Sequence, residues 1–250
     1  MRRYVLILAV LLTFAAPVTA QEAGPHILAS VASADRPAAD RERDDLRKPA
    51  EVLAFAGVRQ GWRVGEYMPG GGYFTRVLAR AVGPEGHVLA YQPAEIVRMR
   101  PSVLTEIQAA AAEPGMENVS VASDATRAFA APEPLDMVFT VQNYHDLYGP
   151  FAPEGTGAAF DRAVFAALKP GGVYLVIDHH AAAGTGLSGA GQQHRIERQA
   201  AIDAITAAGF VLDDESTLLT NPGDPLTASV FDPSIRGRTS QFMLRFRKPG

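Results

Sequence analysis

The chain contains no cysteine among its 250 residues. That absence excludes disulfide bonds, thiolate catalysis, zinc sites built on cysteine and a lipoprotein anchor. There is also no long basic run, and the formal net charge is −4. A nucleic-acid partner therefore has no electrostatic support, because such binding depends on neutralising phosphates. The sequence shows no internal repeat and no low-complexity tract.

Two catalytic signatures are missing as well. No Gly-Lys-Ser or Gly-Lys-Thr follows a glycine-rich turn, which excludes a P-loop. Residues 184–191, GTGLSGAG, contain Ser188 but not the G-x-S-x-G elbow of hydrolases. The composition itself is that of a globular protein, 47% hydrophobic and 20% charged. The length is enough to bury the core of one large domain.

The first twenty residues have the pattern of an export signal. Two arginines precede the apolar stretch Tyr4–Ala16, and small residues end at Ala20. This pattern predicts a signal peptide at residues 1–20 and an exported protein, periplasmic or secreted. The apolar run is too short to span a bilayer, so we expect no stable membrane insertion after cleavage.

The rest of the chain alternates strand and helix patterns. Residues 21–34 are predicted to be a flexible lead-in and 35–250 a single domain, which begins with one or two helices broken near Pro49. Strands are predicted at 63–68, 87–91, 118–122, 135–141, 173–178, within 210–219 and at 240–248, and helices at 73–83, 95–112, 160–168 and 192–208. The alternation predicts an α/β fold. We expect a Rossmann-like, doubly wound, mostly parallel seven-stranded sheet with an antiparallel last strand and helices on both faces.

A glycine-rich stretch, EYMPGGGYFTR at residues 66–76, lies between the first of these strands and its helix. In an open α/β sheet this turn is at the carboxyl ends of the strands, where ligands bind. Glycine there permits positive φ and close approach of a ligand to the backbone. The G-x-G-x-x-G dinucleotide fingerprint would use Gly70 and Gly72, but its third glycine falls on Thr75. The stretch therefore predicts a cofactor site, but its sequence matches the dinucleotide fingerprint only in part.

A second pattern fits better. Glu66, Gly70 and Gly72 resemble motif I of the class I S-adenosylmethionine (SAM)-dependent methyltransferases, in which an acid, a small residue and two glycines are separated by single spacers. Met68 departs from this pattern, since it stands where the family commonly has its first glycine. The resemblance covers roughly residues 50–248, in the order of the family. A closer likeness is to predicted secreted methyltransferases with a PGGGY turn. Further stretches similar to the family are SDATRAF at 123–129, PLDMVFTVQNYHDLY at 134–148, ALKPGGVYLVIDH at 167–179 and AAGFVLDDESTLL at 207–219.

The resemblance implies SAM as the cofactor and a set of residues that contact it. Glu66 would serve the amino group of the methionine moiety, and Asp124 would lie near the adenine amine. Gln92 stands where the family has an acid that binds the ribose hydroxyls, and Glu95 is an alternative for that position. The cofactor-binding residues predicted in this way are Glu66, Met68, Gly70, Gly71, Gly72, Gln92, Asp124 and Asn143.

Two polar stretches leave apolar strands at the edge where a ligand would bind. QNYHD (142–146) follows the fourth strand and DHH (178–180) ends the fifth. A histidine has a reference pKa near neutrality and can accept a proton from an acceptor. We therefore predict His145 as a base, with Asp146 or Asp178 orienting it. The predicted catalytic residues are His145, Asp146, Tyr144, His179 and His180.

A metal site is an alternative interpretation of the same residues. Imidazoles and carboxylates of His145, Asp146, Asp178, His179, His180 and His194 could bind a cation. No H-x-x-x-H or H-E-x-x-H spacing is present, and the sequence assigns no metal site.

Three functions remain open at this point. The first is methyl transfer from SAM to a small-molecule acceptor. The second is non-catalytic ligand binding by an exported protein with the methyltransferase fold, and the third is a nicotinamide-dependent oxidoreductase. All three predict a small-molecule partner and no nucleic acid.

Overall fold

The computed structural model describes residues 22–250. The predicted signal peptide, residues 1–20, lies outside the described residues. Within the described part, no helix is long and apolar enough to cross a membrane.

Seven strands form one sheet over residues 22–250. Their bounds are β1 Arg63–Tyr67, β2 His87–Tyr91, β3 Val119–Ala122, β4 Leu135–Val141, β5 Leu168–His179, β6 Val211–Ser216 and β7 Gln241–Arg247. Their order across the sheet is β3-β2-β1-β4-β5-β7-β6. The first five strands in this order are parallel to one another, and β7 lies antiparallel between β5 and β6. The predicted Rossmann-like fold with an antiparallel last strand is confirmed.

The strand order reverses between β1 and β4. The chain moves outward from β1 through β2 to β3, and then returns to β4 on the other side of β1. Ligands of open α/β sheets bind outside the carboxyl ends of the strands at such a switch point. The glycine turn after β1 and the polar stretch after β4 both lie there, so the topology alone places them side by side.

The central strands are buried on both faces, which explains their near-continuous apolar sequences. Phe139 and Leu175 are paired in the β4–β5 register and belong to one core cluster. Their neighbours Val138 and Tyr174 belong to the other cluster, on the opposite face. Helices cover both clusters.

The helices of the described residues flank the sheet on both faces. Their bounds are α1 Pro25–Ala32, α2 Ala38–Arg41, α3 Asp44–Arg47, α4 Pro49–Ala56, α5 Tyr73–Val82, α6 Ala94–Met99, α7 Ser102–Ala111, α8 Thr156–Ala167 and α9 Arg198–Ala207. Buried residues of α1, α4 and α5 join the Phe139 cluster, and those of α8 and α9 join the Val138 cluster. Helix α7 packs on β2 and β3 through Ile107 and Ala110.

The N-terminal segment differs from the prediction. Residues 21–34, expected to be a loose lead-in, contain helix α1, which contacts α4 and α5. Ile27 is buried and its carbonyl accepts a hydrogen bond of 2.7 Å from the hydroxyl of Ser30, whereas Leu28 is exposed. One buried large apolar residue gives little helical periodicity, so the sequence pattern missed this helix. The predicted break near Pro49 is confirmed, since Lys48 has a left-handed φ of 47°.

The helix predicted at 192–208 begins only at Arg198. His194 has a φ of 54°, and Ile196 forms a parallel bridge with His180 beyond the end of β5. The segment before α9 is thus attached to the sheet edge instead of continuing the helix. The helix predicted at 95–112 is divided into α6 and α7 at Pro101, the proline at which a perturbation was expected.

Candidate functional site

The turn between β1 and α5 has the backbone that glycine allows. Gly70 and Gly72 have φ of 58° and 83°, and Met68 has 52°. A Cβ added at Gly70 or Gly71 would meet nothing within 4 Å. At Gly72 it would lie 2.9 Å from the Cβ of Ala110 in α7. Gly70 and Gly71 therefore leave open space beside the turn, whereas Gly72 is required for packing.

A cavity of about 340 Å³ opens beside this turn, at the carboxyl ends of β1 and β4. Its size suits a small molecule. The lining residues come from α3, the end of β1, the turn, the start of α5 and the end of β4: Arg43, Arg47, Glu66, Tyr67, Met68, Pro69, Gly70, Gly71, Tyr73, Phe74, Val141, Gln142, Asn143 and Asp146. Five of the eight predicted cofactor-binding residues line it, and Gly72, Gln92 and Asp124 do not.

Glu66 is a buried acid without a cationic partner. It is 4% exposed, and the hydroxyl of Thr75 donates a hydrogen bond of 2.5 Å to its Oε2. Burial raises the pKa of Glu66 to about 7, although Thr75 and the more distant Arg47 and Arg76 oppose this. No arginine, lysine or histidine among residues 22–250 forms an ion pair with it. The cavity wall thus carries a carboxyl group that a bound cation would convert to its charged form.

Arg47 also lines the cavity and carries the charge opposite to that of an ionised Glu66. Its guanidinium lies 4.4 Å from the ring centre of Tyr73 and 4.9 Å from that of Phe74. Burial, and then the nearby Arg43, lower the pKa of Arg47. In the described part of the chain no carboxylate pairs with Arg47, whereas Arg43 is 2.6 Å from Asp40. A ligand anion would supply the missing partner.

Asn143 joins the ends of β1 and β4. Its Nδ2 donates to the carbonyl oxygens of Tyr67 at 3.1 Å and Met68 at 3.3 Å. Its Oδ1 accepts a hydrogen bond from the hydroxyl of Thr140. These bonds occupy both ends of the amide, so the residue positions the glycine turn and lines the cavity floor.

The residues predicted to bind the ribose and adenine lie at the same sheet edge but outside this cavity. Gln92 follows β2 and is buried, and its Oε1 has no hydrogen-bond partner within residues 22–250. Asp124 follows β3, is exposed and accepts a hydrogen bond of 2.7 Å from the amide of Ala125. Glu95 accepts hydrogen bonds from the amide and hydroxyl of Thr126, which hold the loop after β3.

Tyr144, predicted to be catalytic, does not line the cavity. The side chain is fully buried in the core on the α8 face. Its hydroxyl donates a hydrogen bond of 2.8 Å to Asp161 and lies 3.1 Å from the hydroxyl of Tyr148. Burial raises the pKa of Tyr144 further above its ordinary value. The sequence could not show which side chains of the short turn point into the core.

His145 and Asp178 form a buried pair across β4 and β5. Nδ1 of His145 is 2.8 Å from Oδ1 of Asp178, and the backbone amide of His145 donates to Oδ2 at 2.6 Å. Burial lowers the pKa of His145, but the carboxylates of Asp178 and Asp146 outweigh it, so the net direction is upward. The reverse applies to Asp178, whose pKa is lowered by His145 despite complete burial. The predicted juxtaposition of the two strand ends is present.

Asp146 and His194 complete a cluster around Nε2 of His145. That nitrogen is 3.3 Å from Oδ1 of Asp146 and 3.3 Å from Nδ1 of His194. Nδ1 of His194 is in turn 3.7 Å from Oδ1 of Asp146. Only Asp146 of the three lines the 340 Å³ cavity. The cluster therefore meets the cavity through a carboxylate, with the imidazoles behind it.

The histidines at the end of β5 have other partners. Nδ1 of His179 is 2.8 Å from the hydroxyl of Thr239, and burial lowers the pKa of His179 to about 4. His180 points away, with Nδ1 3.0 Å from the carbonyl of Ala181 and its ring against Phe242. Alternation along the strand separates these two side chains. The ring centre of His179 lies 5.9 Å from that of His145, but neither His179 nor His180 contributes an atom to the cluster around Nε2 of His145.

Two contributions were missed by sequence reasoning. Arg47 belongs to a charged stretch whose spacing gives no sign of a cavity, and only the folding of α3 over the β1–β4 edge brings it there. His194 was predicted at the start of a helix, where it could face the cleft, and the structure places it instead in a loop with positive φ. Its neighbour Arg195 is fully buried and pairs with Asp224 at 2.9 Å through both nitrogens, which fixes the loop.

No protein-family model and no curated protein matches the chain. Solved structures do. A SAM-dependent methyltransferase from Aquifex aeolicus aligns over 88% of this chain and 97% of its own, with 16% identity and a TM-score of 0.58. Fibrillarin from Aeropyrum pernix, solved with natively bound SAM, aligns over 78% and 72%, with 15% identity and a TM-score of 0.50.

The cyclase SpnF is a third similar structure, over 89% of this chain and 92% of its own, with 18% identity and a TM-score of 0.58. These alignments establish that the chain has the Rossmann-like fold of SAM-dependent methyltransferases. The same fold carries a cyclase, so activity has to be argued from the site.

Proposed function

We propose that this protein transfers a methyl group from SAM to a small-molecule acceptor. The observation that carries the proposal is the cavity at the β1–β4 switch point. Open backbone at Gly70 and Gly71 lines it together with a carboxyl group and a guanidinium that have no ion-pair partners among residues 22–250. The fold of the similar solved structures supports the same assignment.

The charges of the cavity wall suit the methionine end of SAM. Its α-amino group is a cation and its α-carboxylate an anion, and the two are separated by a single carbon. Glu66 would accept hydrogen bonds from the ammonium, which keeps the bound glutamate ionised. Arg47 would hold the carboxylate with a charge-assisted bond from its planar fork. Each residue gains the partner that it lacks within the described chain.

The other end of the cofactor would extend along the sheet edge toward β2 and β3. Gln92 has a buried Oε1 that a ribose hydroxyl could satisfy. Asp124 and Glu95 lie beyond it, after β3 and in α6. We assign the ribose to Gln92 and Glu95 and the adenine amine to Asp124, on the resemblance to the family.

The chemistry needs little from the chain beyond placement. When bound, SAM would supply an activated methyl group for the acceptor, with S-adenosylhomocysteine as the leaving group. The cavity holds the reactants close, which replaces a bimolecular encounter by an oriented one. Asp146 lines the cavity and would take the proton of the acceptor, with His145 at 3.3 Å behind it and Asp178 fixing the imidazole.

Non-catalytic binding is the second candidate. Gln92 supports it, because an amide at the ribose position offers one acceptor where the family has a carboxylate. A nicotinamide oxidoreductase fits less well. Thr75 stands at the third glycine position of the dinucleotide fingerprint. Its side chain is fully buried and its hydroxyl donates a hydrogen bond to Glu66. Helix α5 therefore has a side chain where the fingerprint has a glycine.

Export is a separate proposal that rests on residues 1–20. We propose that the chain is cleaved after Ala20 and acts in the periplasm or outside the cell. Mass spectrometry of the N-terminus in fractionated cells tests this proposal. A cytoplasmic protein that begins at Met1 would contradict it.

The proposed activity is tested with SAM that carries a tritiated methyl group. The protein is incubated with this SAM and a small-molecule extract, and tritium is followed into products other than SAM. Transfer by the wild type and its loss in Gly71→Val support the enzyme. If the protein binds SAM but transfers no methyl group to any compound of the extract, non-catalytic binding is favoured. If the protein does not bind SAM, neither methyl transfer nor non-catalytic SAM binding is supported.

A further inference from the structure

We propose that His145, Asp146 and His194 form a binding site for a divalent metal ion. The three candidate ligand atoms are Nε2 of His145, Oδ1 of Asp146 and Nδ1 of His194, all within 4.8 Å of one another. They belong to two separate segments, the turn after β4 and the loop before α9. This proposal concerns metal binding itself and does not depend on methyl transfer.

The spacing of the three atoms matches a shared cation. Two ligands that each lie about 2.1 Å from a tetrahedral ion are about 3.4 Å apart. The pairs in this cluster are separated by 3.3 Å, 3.3 Å and 3.7 Å. Three nearly equal separations describe the face of one coordination polyhedron. A chain of ordinary hydrogen bonds would not need the third contact, between His194 and Asp146.

Asp178 prepares His145 as a ligand. Its Oδ1 lies 2.8 Å from Nδ1 of His145, and its Oδ2 accepts a hydrogen bond from the backbone amide of the same residue. Asp178 therefore holds both the ring and the backbone of His145. A proton on Nδ1 leaves the lone pair of Nε2 directed at His194 and Asp146. A carboxylate behind a ligating imidazole is the arrangement that orients histidine at metal centres. Asp178 is completely buried, so the fold itself holds the His145–Asp178 pair in place.

The loop that carries His194 is held in an unfavourable shape. A φ of 54° is uncommon for a residue with a β-carbon. The next residue, Arg195, is anchored to Asp224, and the His194 ring packs against Phe231 at 4.8 Å. These contacts hold Nδ1 of His194 toward His145. The strain, the anchor and the ligand spacing are independent observations that agree on one site.

The donor set and the exposure indicate the kind of ion. Two imidazoles and one carboxylate suit Zn²⁺ and neighbouring first-row ions, whereas Mg²⁺ and Ca²⁺ prefer oxygen ligands alone. The side chains of His194 and Asp146 are 26% and 16% exposed, and Asp146 lines the cavity. Three protein ligands and one accessible side leave a coordination position open, as in catalytic zinc sites.

The site also refines the proposed function, and this step rests on that function. Asp146 lines the cavity, so an acceptor with an oxygen or nitrogen lone pair that enters from the cavity could occupy the open position. His145 and Asp146 would then act as ligands, and Asp146 would not itself take the proton of the acceptor. The cation would lower the pKa of the acceptor, whose proton would then pass to bulk water.

Zinc titration of the untagged protein tests the proposal, because a histidine tag would itself bind the ion. After removal of metal with a chelator, we expect one Zn²⁺ per chain by calorimetry and by elemental analysis after dialysis. His194→Asn keeps a residue that tolerates positive φ but removes the imidazole. Asp146→Asn removes the charge with little change of shape. Each should weaken zinc binding by at least about tenfold.

His180→Ala is the matched control. It removes a partly exposed imidazole close to the cluster in sequence, and zinc binding should be unchanged. Circular dichroism confirms that each variant is folded. Substoichiometric zinc in the wild type, or equal affinity in His194→Asn and the wild type, would overturn the proposal. Measurement of SAM affinity in the same samples separates the two ideas. A wild-type protein that binds SAM but not zinc would contradict only the metal site. A protein that binds zinc but not SAM would contradict only the proposed function.

Discussion

At the β1 end of the cavity, Glu66 and Arg47 have no ion-pair partners among residues 22–250. At the β4–β5 end, His145 is bonded to Asp178 and Asp146 lies within 3.3 Å of its ring. At the β1 end the charged groups therefore lack partners, whereas at the β4–β5 end they pair with each other and fix the positions of their side chains. The difference teaches where a ligand is needed. Unpaired groups indicate a complementary charge in the ligand, whereas the paired groups hold their atoms in place before any ligand arrives.

Breaking the buried pair should have the largest effect. Asp178→Ala removes the partner of a buried imidazole and of the backbone amide of His145. We expect the free energy of unfolding to fall by about 3 kcal/mol or more, because a buried group loses its compensation. Urea unfolding measures this loss. Glu215→Ala, which breaks an exposed pair with Arg198, is the control and should cost less than about 1 kcal/mol. Equal losses would contradict the contrast between the ends.

The glycine turn is tested by two neighbouring substitutions. Gly71→Val adds a side chain where no atom lies within 4 Å, so it should leave a folded chain with about 100-fold weaker SAM binding. Gly72→Val adds a Cβ 2.9 Å from Ala110 at a φ of 83°, so it should lower stability instead. Thermal unfolding and calorimetry separate the two. Unchanged SAM affinity in Gly71→Val would remove the cofactor from this turn.

The unpaired arginine is tested against its paired neighbour. Arg47→Met keeps a long apolar side chain against Tyr73 but removes the charge offered to the ligand carboxylate. SAM affinity should fall by about tenfold. Arg43→Met is the matched variant, since Arg43 already pairs with Asp40, and it should change affinity less. A larger effect at Arg43 than at Arg47 would show that the charges are assigned to the wrong residue.

Glu66 should make the stability of the fold depend on pH. Its pKa is raised from 4.5 to about 7 by burial, so the folded chain holds this proton more tightly than the unfolded chain does. The stabilisation is complete below pH 4.5 and is lost as the pH rises through about 7. Glu66→Gln should therefore have a higher free energy of unfolding than the wild type at pH 8, and this difference should narrow toward pH 5. A constant difference between the two proteins at both pH values would contradict the raised pKa.

The sequence was sufficient where the determining interactions are local. The bounds of β2 and β4 were predicted to the residue, because apolar runs and turn residues delimit them. The turn at Gly70 was placed between strand and helix for the same reason. The switch point then follows from topology, so the meeting of His145 and Asp178 was predictable from strand ends alone.

What could not be predicted depends on contacts distant in sequence. Arg47 reaches the cavity only because α3 folds over the sheet edge. Tyr144 turns into the core because Asp161 of α8 accepts its hydroxyl. His194 adopts positive φ because Asp224 holds the next residue, 29 positions away from it. No local pattern encodes any of these three placements.

Calorimetric titration of the wild-type protein with SAM, S-adenosylhomocysteine and NAD tests the central claim most directly. The account predicts one site per chain that binds SAM and S-adenosylhomocysteine in the micromolar range, with SAM affinity falling below about pH 7 as Glu66 is protonated. NAD should produce no binding heat. A folded protein that binds neither SAM nor S-adenosylhomocysteine, or that binds NAD more tightly than both, would contradict it.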